Sequence, residues 1–175
     1  RTTADVLVTT DTWGIFTHGS KQLQPLLKMT QDRVDVRAVP EVVAEAPAWA
    51  IIDGHFALAM VPAVKAMQLA IDKAEKSGIA FVGVRNSNHF GACAYYANMA
   101  VKHDLIGVSM TNVNPLVTVP GGKTAVIGTN PFAYAVPAGE EPPIFLDIAT
   151  SIVAASKVIS ARAVGKPVPE GWIVD

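Results

Sequence analysis

The chain has 175 residues, of which 50% are hydrophobic and 17% are charged, and its formal net charge is −1 at pH 7. This apolar fraction is not that of a disordered chain and predicts a folded domain with a substantial core. Acidic and basic residues are interspersed without a basic stripe, so we expect no nucleic-acid partner.

The single cysteine and the absence of an apparent targeting or membrane segment indicate the compartment that we expect. Cys93 alone excludes an internal disulfide framework and fits a reducing environment. No apolar run approaches the ~18 residues of a membrane span, and no signal peptide is visible. We therefore expect a cytoplasmic protein with no membrane partner. The chain starts at Arg1 inside a helical pattern and ends at Asp175 without a cap, so we expect truncation at both ends.

The N-terminal segment is predicted to be helical. Residues 4–12 are apolar on one side and end before Gly14, and a second helical stretch follows Thr17. We therefore assign residues 1–35 to part of a helical N-terminal region and residues 36–175 to part of an α/β domain.

Strand signals and the clearest helix follow. Residues 42–47 and 49–54 predict two short strands joined by Ala-Pro, and Asp53-Gly54 is a hairpin turn signal. Apolar residues then recur at steps of three and four, which predicts a helix over residues 60–77.

The middle of the chain alternates strand and helix. Residues 79–85 and 105–111 predict apolar strands buried in a sheet, with a helix from about residue 91 to 102 between them. Residues 112–139 are rich in Gly, Pro, Asn and Thr and predict short strands with tight turns. A final strand ends at Asp147, where we expect a helix to begin. The pattern is typical of an α/β fold.

His89 lies between a predicted strand and the helix that follows it. In open α/β sheets, ligands bind at the carboxyl ends of strands, beside helix N-termini that attract anions. A neutral imidazole there can donate a proton to a carbonyl being reduced or accept one from an alcohol being oxidised. The alternative is that His89 only caps its helix and hydrogen-bonds a loop.

His18 and Asp147 are further candidates. Thr17 and His18 place a hydroxyl and an imidazole at the start of a predicted helix, although the local pattern alone is explained at least as well by Thr17 as an N-cap and His18 as a first-turn surface residue. Asp147 either caps the next helix, orients an imidazole or binds a ligand hydroxyl.

Other chemistries have weaker signals. Cys93 follows His89 by one helical turn, which allows a Cys–His nucleophile pair, but its Ala-rich flank is typical of a small buried residue. One cysteine and scattered histidines predict no metal site. The segments GGK (121–123) and GTNP (128–131) match neither G-x-G-x-x-G nor a P-loop, which argues against a standard Rossmann fold.

Four segments together resemble a known family. They are DTWGIFTHGSKQL, GVRNSNHFGACAYYANMA, VIGTNPFAYAVP and LDIATSIVAASKV with the later VPEGWIVD. In order and spacing they resemble the malate/L-lactate dehydrogenase family, whose fold is unrelated to that of the Rossmann lactate dehydrogenases. The resemblance covers nearly the whole chain. It implies a mixed-sheet α/β sandwich of the type-2 malate/lactate dehydrogenase kind and makes residues 36–175 part of a nucleotide-binding and catalytic domain.

The resemblance also implies site residues. It makes His89 and His18 the catalytic pair, and we expect His89 to be the acid/base and His18 to orient the substrate oxygen. It implies NAD or NADP as cofactor, bound by His89, Phe90, Gly91, Ala92, Cys93, Asp147, Ile148 and Ala149. It implies that the substrate contacts Thr17, His18, Lys21, Thr129 and Asn130.

Two positions depart from the family pattern. The family usually has an arginine four residues after the first histidine, where this chain has Gln22. Glutamine cannot form the charge-assisted fork that arginine forms with a carboxylate, so either Lys21 or another residue binds the acid, or the substrate differs. Ser156 stands where a glycine is more usual before the lysine.

The resemblance predicts an NAD(P)-dependent oxidoreductase. It would transfer a hydride between the nicotinamide and C2 of a small 2-hydroxy or 2-oxo acid, usually as a homodimer. One alternative is a thiol hydrolase that uses Cys93 and His89. The other is an inactive fragment or binding module that keeps the family fold.

Overall fold

The computed structural model describes residues 1–174, which form two three-stranded sheets packed on helices. The N-terminal helices and the first sheet with its crossover comprise α1 (Thr2–Thr12), a 3-10 turn (Ser20–Gln22), α2 (Leu23–Met29), β1 (Glu41–Ala46), β2 (Trp49–Asp53), α3 (Met60–Ser77) and β3 (Phe81–Arg85). The remaining elements are α4 (Cys93–Val101), β4 (Gly107–Met110), β5 (Phe132–Ala138), β6 (Glu141–Ile148) and α5 (Ala155–Ala163).

The first sheet has the order β1-β2-β3, with β1 antiparallel and β3 parallel to β2. The helix predicted over residues 60–77 is confirmed as α3, and it is the crossover that a parallel strand pair requires. Its apolar stripe faces the sheet and the neighbouring helices, and Gly78 ends it in a left-handed conformation.

The hairpin predicted at Asp53-Gly54 is wrong. The two predicted strands are joined close to the Ala-Pro pair, as expected: β1 and β2 form a hairpin that turns at Pro47-Ala48. After Asp53 the chain leaves β2 for the crossover to β3. The carboxylate of Asp53 accepts hydrogen bonds from Arg85 Nε (2.9 Å) and Asn86 Nδ2 (2.9 Å), so it ties the ends of two parallel strands together. In this chain the Asp-Gly pair at the end of β2 begins a βα connection. The local sequence pattern does not distinguish a βα connection from a hairpin turn.

The second sheet is antiparallel, in the order β4-β5-β6, and packs on α4 through small residues. Cys93, Ala94 and Ala97 of α4 form a buried cluster with Ala133 and Ala135 of β5. Because these side chains are short, the helix backbone comes close to the sheet, and a Cβ at Gly107 would overlap the carbonyl oxygen of Ala97.

The expectation that residues 79–85 and 105–111 are buried is wrong for this chain. Phe81 is 62% exposed in β3, and Met110 is 58% exposed in β4. Both are edge strands of their sheets, so within residues 1–174 each has a neighbouring strand on one side only. β3 and β4 therefore contain more apolar side chains than residues 1–174 bury.

Two predicted helices differ in extent. The stretch after Thr17 becomes a 3-10 turn and a short α2, because Pro25 has no N–H to donate to the preceding turn. The helix expected at Asp147 starts only at Ala155.

The N-terminal helices pack on the start of α3. Val6, Leu7, Leu26 and Met60 form one buried apolar cluster. The boundary at residue 35 stays a prediction. No helix within residues 1–174 is both long enough and apolar enough to cross a membrane.

Candidate active site

Two histidines that are far apart in the chain meet in the folded molecule. The ring centroids of His18 and His89 are 5.7 Å apart, and the ring planes are inclined by 19°. His18 lies in the turn between α1 and the 3-10 turn, and His89 lies in the loop between β3 and α4. Both line the same cleft.

The loop geometry orients His89. The backbone N–H of Gly91 donates to His89 Nδ1 at 3.3 Å, so the neutral ring carries its proton on Nε2. Gly91 has φ +85°, a conformation that glycine adopts at little cost. The residue is exposed at the wall of the cleft, but the surrounding protein limits hydration of the ring. This desolvation, together with nearby His18, lowers the pKa of His89 to about 4.

Hydrogen bonds within its own turn position His18. Its Nδ1 lies 2.9 Å from the hydroxyl of Thr17, and Gln22 Nε2 donates to the backbone carbonyl of Thr17 at 2.6 Å. Desolvation lowers the pKa of His18, and the negative charge of Asp147 opposes that shift. The two imidazoles therefore differ in electrostatic environment, because the carboxylate favours protonation of His18.

Asp147 does not cap the helix that follows it. Its Oδ2 accepts the backbone N–H of Ala94 at 2.8 Å, so it caps α4, the helix that begins after His89. Partial burial raises the pKa of Asp147, while the α4 N–H groups and His18 lower it. Of the three roles considered for this residue, capping α5 is wrong, and its charge does act on an imidazole.

Cys93 is buried, at 1% exposure, in the α4–β5 cluster. Burial and the charge of Asp147 raise the pKa of its thiol to about 12, so the thiolate needed for nucleophilic attack does not form near neutral pH. The structure argues against a Cys93–His89 hydrolase.

The cleft has a volume of about 2970 Å³ and runs between β3 and β4. Six of the predicted site residues line it: His18, His89, Phe90, Gly91, Thr129 and Asn130. Seven others lie outside its lining: Thr17, Lys21, Ala92, Cys93, Asp147, Ile148 and Ala149.

Lys21, predicted to contact the substrate, is not among the residues that line this cleft. It lies near Asp11, whose pKa it helps to lower, while Gln22 does face the cleft. Asn130 uses its side-chain oxygen to accept the N–H of Val113 at 2.9 Å, so it shapes a loop at the rim.

Two cleft residues have unsatisfied polar atoms. The side-chain oxygens of Asn88 and Ser156 are buried, and neither has a hydrogen-bond partner within residues 1–174. Buried polar atoms are normally hydrogen-bonded, so such atoms in a cleft fit a polar ligand such as a dinucleotide. In the sequence, Ser156 stands out only as a departure from the family pattern. Asn88 was not predicted as a site residue, although its position directly before His89 was an available signal. Within residues 1–174, no group of three His, Cys, Asp or Glu side chains could hold a metal ion.

Comparison with known proteins identifies the family. Residues 1–175 match the protein family described as malate/L-lactate dehydrogenase. The chain belongs to the malate/L-lactate dehydrogenase family.

Named members of this family are similar over nearly the whole chain. Malate dehydrogenase of Pyrococcus abyssi is 41% identical over 173 residues, which is 98% of this chain and 48% of the relative. Ureidoglycolate dehydrogenase (NAD(+)) of Escherichia coli K12 is 34% identical over 176 residues, 99% of this chain and 50% of the relative. The crystal structure of malate dehydrogenase from Entamoeba histolytica has a TM-score of 0.94 at 32% identity and covers 98% of this chain and 48% of that one.

These comparisons confirm two predictions. The family is the one that the four segments indicated, and the fold is the mixed α/β fold of the type-2 malate/lactate dehydrogenases, not a standard Rossmann fold. The chain spans about half the length of the malate/L-lactate dehydrogenase family relatives that it matches.

Proposed function

We propose that the full-length protein is an NAD(P)-dependent dehydrogenase of small 2-hydroxy acids. The observation that carries the proposal is the pair of imidazoles with centroids 5.7 Å apart at the wall of a cleft. Relatives named malate, L-sulfolactate and ureidoglycolate dehydrogenase support the hydroxy acid class. A bound nicotinamide would supply the hydride donor or acceptor for C2 of the substrate.

The cofactor would lie in the cleft beside His89, Phe90 and Gly91, the three predicted cofactor-binding residues that line it. Asn88 and Ser156 support this placement because each offers a buried side-chain oxygen that needs a partner. One of the relatives is named for NAD(+), and the choice between NAD and NADP is left to the assay below.

In this proposal His89 is the acid/base and His18 orients the substrate oxygen. A neutral His89 accepts the hydroxyl proton when the alcohol is oxidised, and a pKa of about 4 keeps the ring neutral near pH 7. Acceptance at Nε2 requires the tautomer with its proton on Nδ1, so the 3.3 Å contact from the Gly91 N–H opens when substrate binds. This contact is long and therefore weak, so opening it costs little.

In the reducing direction the pair has to deliver a proton to the carbonyl oxygen. A bound carboxylate raises the pKa of both neighbouring imidazoles, because an opposite charge favours their protonated form. Substrate binding thereby supplies the protonated state that the empty cleft disfavours.

An oxidation assay with NADH and NADPH tests the proposal. The full-length protein is mixed with a panel of 2-oxo acids, and we expect turnover with at least one acid and one nucleotide. Absence of turnover together with absence of NADH and NADPH binding, followed by fluorescence, would contradict the proposal. Nucleotide binding without turnover would instead favour the binding-module alternative.

A further inference from the structure

The loop that carries His89 is fastened to a second turn of the chain. The His89 loop (residues 86–92) follows β3, and a turn that we call the β2 turn (residues 54–57) follows β2. Hydrogen bonds of 2.8–2.9 Å join the β2 turn to the end of β3 and to the His89 loop: from Gly54 N to Arg85 O, from Phe56 N to Asn86 O, and from Asn88 Nδ2 to Ala57 O. The β2 turn therefore fixes where the His89 loop begins.

One buried carboxylate lies at the junction of these segments. Asp53, the last residue of β2, is 5% exposed. It accepts the backbone N–H of His55 within the β2 turn, and the side chains of Arg85 and Asn86 from the other segment, each at 2.9 Å. The hydrogen bond from His55, followed by that from Asn86, lowers the pKa of Asp53 to about 2, so the group is charged at neutral pH.

The backbone at this junction is strained on both sides. His55 and Phe56 have φ of 47° and 56°, and Asn86 has φ of 49°. Residues with a Cβ adopt this left-handed conformation only occasionally, and it persists where neighbouring contacts enforce it. The carboxylate of Asp53 bonds both His55 and Asn86, so it supplies such contacts. Without it we expect both segments to relax.

Asp53 does not line the cleft, whereas Asn86, Asn88 and His89 do. Its influence on the site therefore passes through other residues and not through contact with a ligand. The path is short, because Asp53 holds Asn86, and Asn88 is held by Ala57 O directly before His89.

We propose that Asp53 is the positioning residue for His89, because its carboxylate holds the β2 turn and the His89 loop in the arrangement that places the imidazole beside His18. The catalytic consequence rests on the proposed function, in which His89 is the acid/base. The location of the ring does not depend on the reaction.

Few charged groups face the two residues. Beside Asp53 lie Arg85 and His55, and Glu41 of β1 is 3.6 Å from the far nitrogen of His55. Beside His89 lies His18, on which Asp147 of β6 acts in turn.

The titration of His89 separates positioning from a direct effect of charge. Removing the negative charge of Asp53 can by itself only lower the pKa of an imidazole, and leaving Arg85 unpaired acts in the same direction. Movement of the loop has the opposite effect. Desolvation is the main reason that the pKa of His89 is about 4, so a ring that becomes hydrated has a pKa closer to the ordinary 6.5.

NMR of the histidine side chains in the full-length protein measures this pKa, and loss of a signal in His89→Gln assigns it. In Asp53→Asn an amide of the same shape replaces the carboxylate and turns an NH₂ group toward other donors. We expect the pKa of His89 to rise above about 5 in this variant. An unchanged or lower pKa in the folded variant would overturn the proposal.

A second variant and a control complete the test. Asn86→Gly removes one donor to the carboxylate, and glycine adopts the φ of 49° without strain, so we expect a smaller rise in the pKa of His89. If Asp53→Asn does not fold, this variant decides, and an unchanged pKa overturns the proposal. Glu45→Gln removes a carboxylate that pairs with Lys73 at 2.8 Å in the same sheet and should leave the pKa unchanged. A rise as large as that in Asp53→Asn would also overturn the proposal.

Steady-state kinetics test the catalytic consequence. We expect Asp53→Asn to lower kcat for alcohol oxidation at pH 7 by about 10- to 100-fold, with KM for the hydroxy acid within about twofold, because a small misplacement of the base slows the chemical step. A raised pKa of His89 with unchanged kcat would overturn the proposal. Absence of turnover in the unsubstituted protein would count against the proposed function alone, because the NMR measurement still decides what positions the ring.

Discussion

Proton transfer depends on individual side chains, and the acid/base role proposed for His89 is the first to test. Replacing His89 with alanine removes the proposed acid/base, so we expect kcat to fall by about 10²–10⁴. The matched variant His18→Ala should act mainly on KM, because the role proposed for His18 is to orient the substrate oxygen. Steady-state kinetics of both variants check this. A loss of kcat below tenfold in His89→Ala would move the proton role to His18.

The pH dependence follows from the environment of His89. Its pKa is lowered to about 4 from the ordinary 6.5, so the neutral base persists until the pH falls through about 4. We therefore expect the acidic limb of kcat/KM for alcohol oxidation near pH 4, because kcat/KM reports ionisation in the free enzyme. Preincubation at each pH followed by assay at pH 7 controls for denaturation. A limb near pH 6.5 would contradict the assignment.

Thr17 is placed to position His18. Its hydroxyl lies 2.9 Å from His18 Nδ1, whereas the residue is not part of the cleft lining. Thr17→Val removes this hydrogen bond, worth about 1 kcal/mol, so we expect roughly a fivefold rise in KM, the parameter that His18→Ala should also change. Thr17→Ser keeps the hydroxyl and should retain the KM of the unsubstituted protein. A fall in kcat with KM unchanged would contradict this role of Thr17.

At the scale of elements, the contact of α4 with the second sheet supports the site. Helix α4 begins just after His89, is capped by Asp147 of β6 and packs on β4 and β5 through small residues. The close approach requires Gly107, since a Cβ there would overlap the Ala97 carbonyl. The position of the His89 loop therefore depends on this packing.

A glycine substitution measures the tightness of that contact. We expect Gly107→Ala to destabilise the protein by about 3 kcal/mol, because the overlap is with backbone that cannot rotate away. The control is Gly139→Ala, which has φ +64° and no atom within 4 Å, so it incurs only the backbone strain of about 1 kcal/mol. Urea unfolding of both variants gives the comparison. A cost for Gly107→Ala no greater than for Gly139→Ala would show that the helix can move away.

The sequence patterns within single elements predicted the positions of several helices and strands. Periodicity located α3 to its terminal residues, and the strand signals found β1 to β4 to within a few residues. The errors occurred where a local signal serves two structures. Asp53-Gly54 ends a strand in either a hairpin or a crossover, and the pairing partner of β2 decides between them.

On the scale of the whole molecule, much apolar surface is unpartnered within residues 1–174. The face of the second sheet opposite α4 includes Val108 (44% exposed), Met110 (58%) and Ile148 (45%). Patches of this kind mark contacts with other protein. The site itself borders this region through the cleft, so we expect activity to require the full-length protein.

Expression of residues 1–175 alone tests that expectation. We expect the fragment to bind the dye ANS strongly, to self-associate and to show no turnover, whereas the full-length protein binds little dye and is a homodimer. Fluorescence and light scattering measure both. A monomeric fragment with low dye binding would contradict the view that these faces are covered in the full-length protein.

The sequence by itself determined the family, the α/β class and helix α3, and it singled out His18 and His89 as candidate site residues, because these depend on short motifs and on the period of apolar residues. Only the tertiary structure decided that His18 and His89 stack at 5.7 Å, that Asp147 caps α4, and that Lys21 is not part of the cleft lining. Those relations join residues from separate elements, and their distances depend on how helices and sheets pack. No local pattern contains that information.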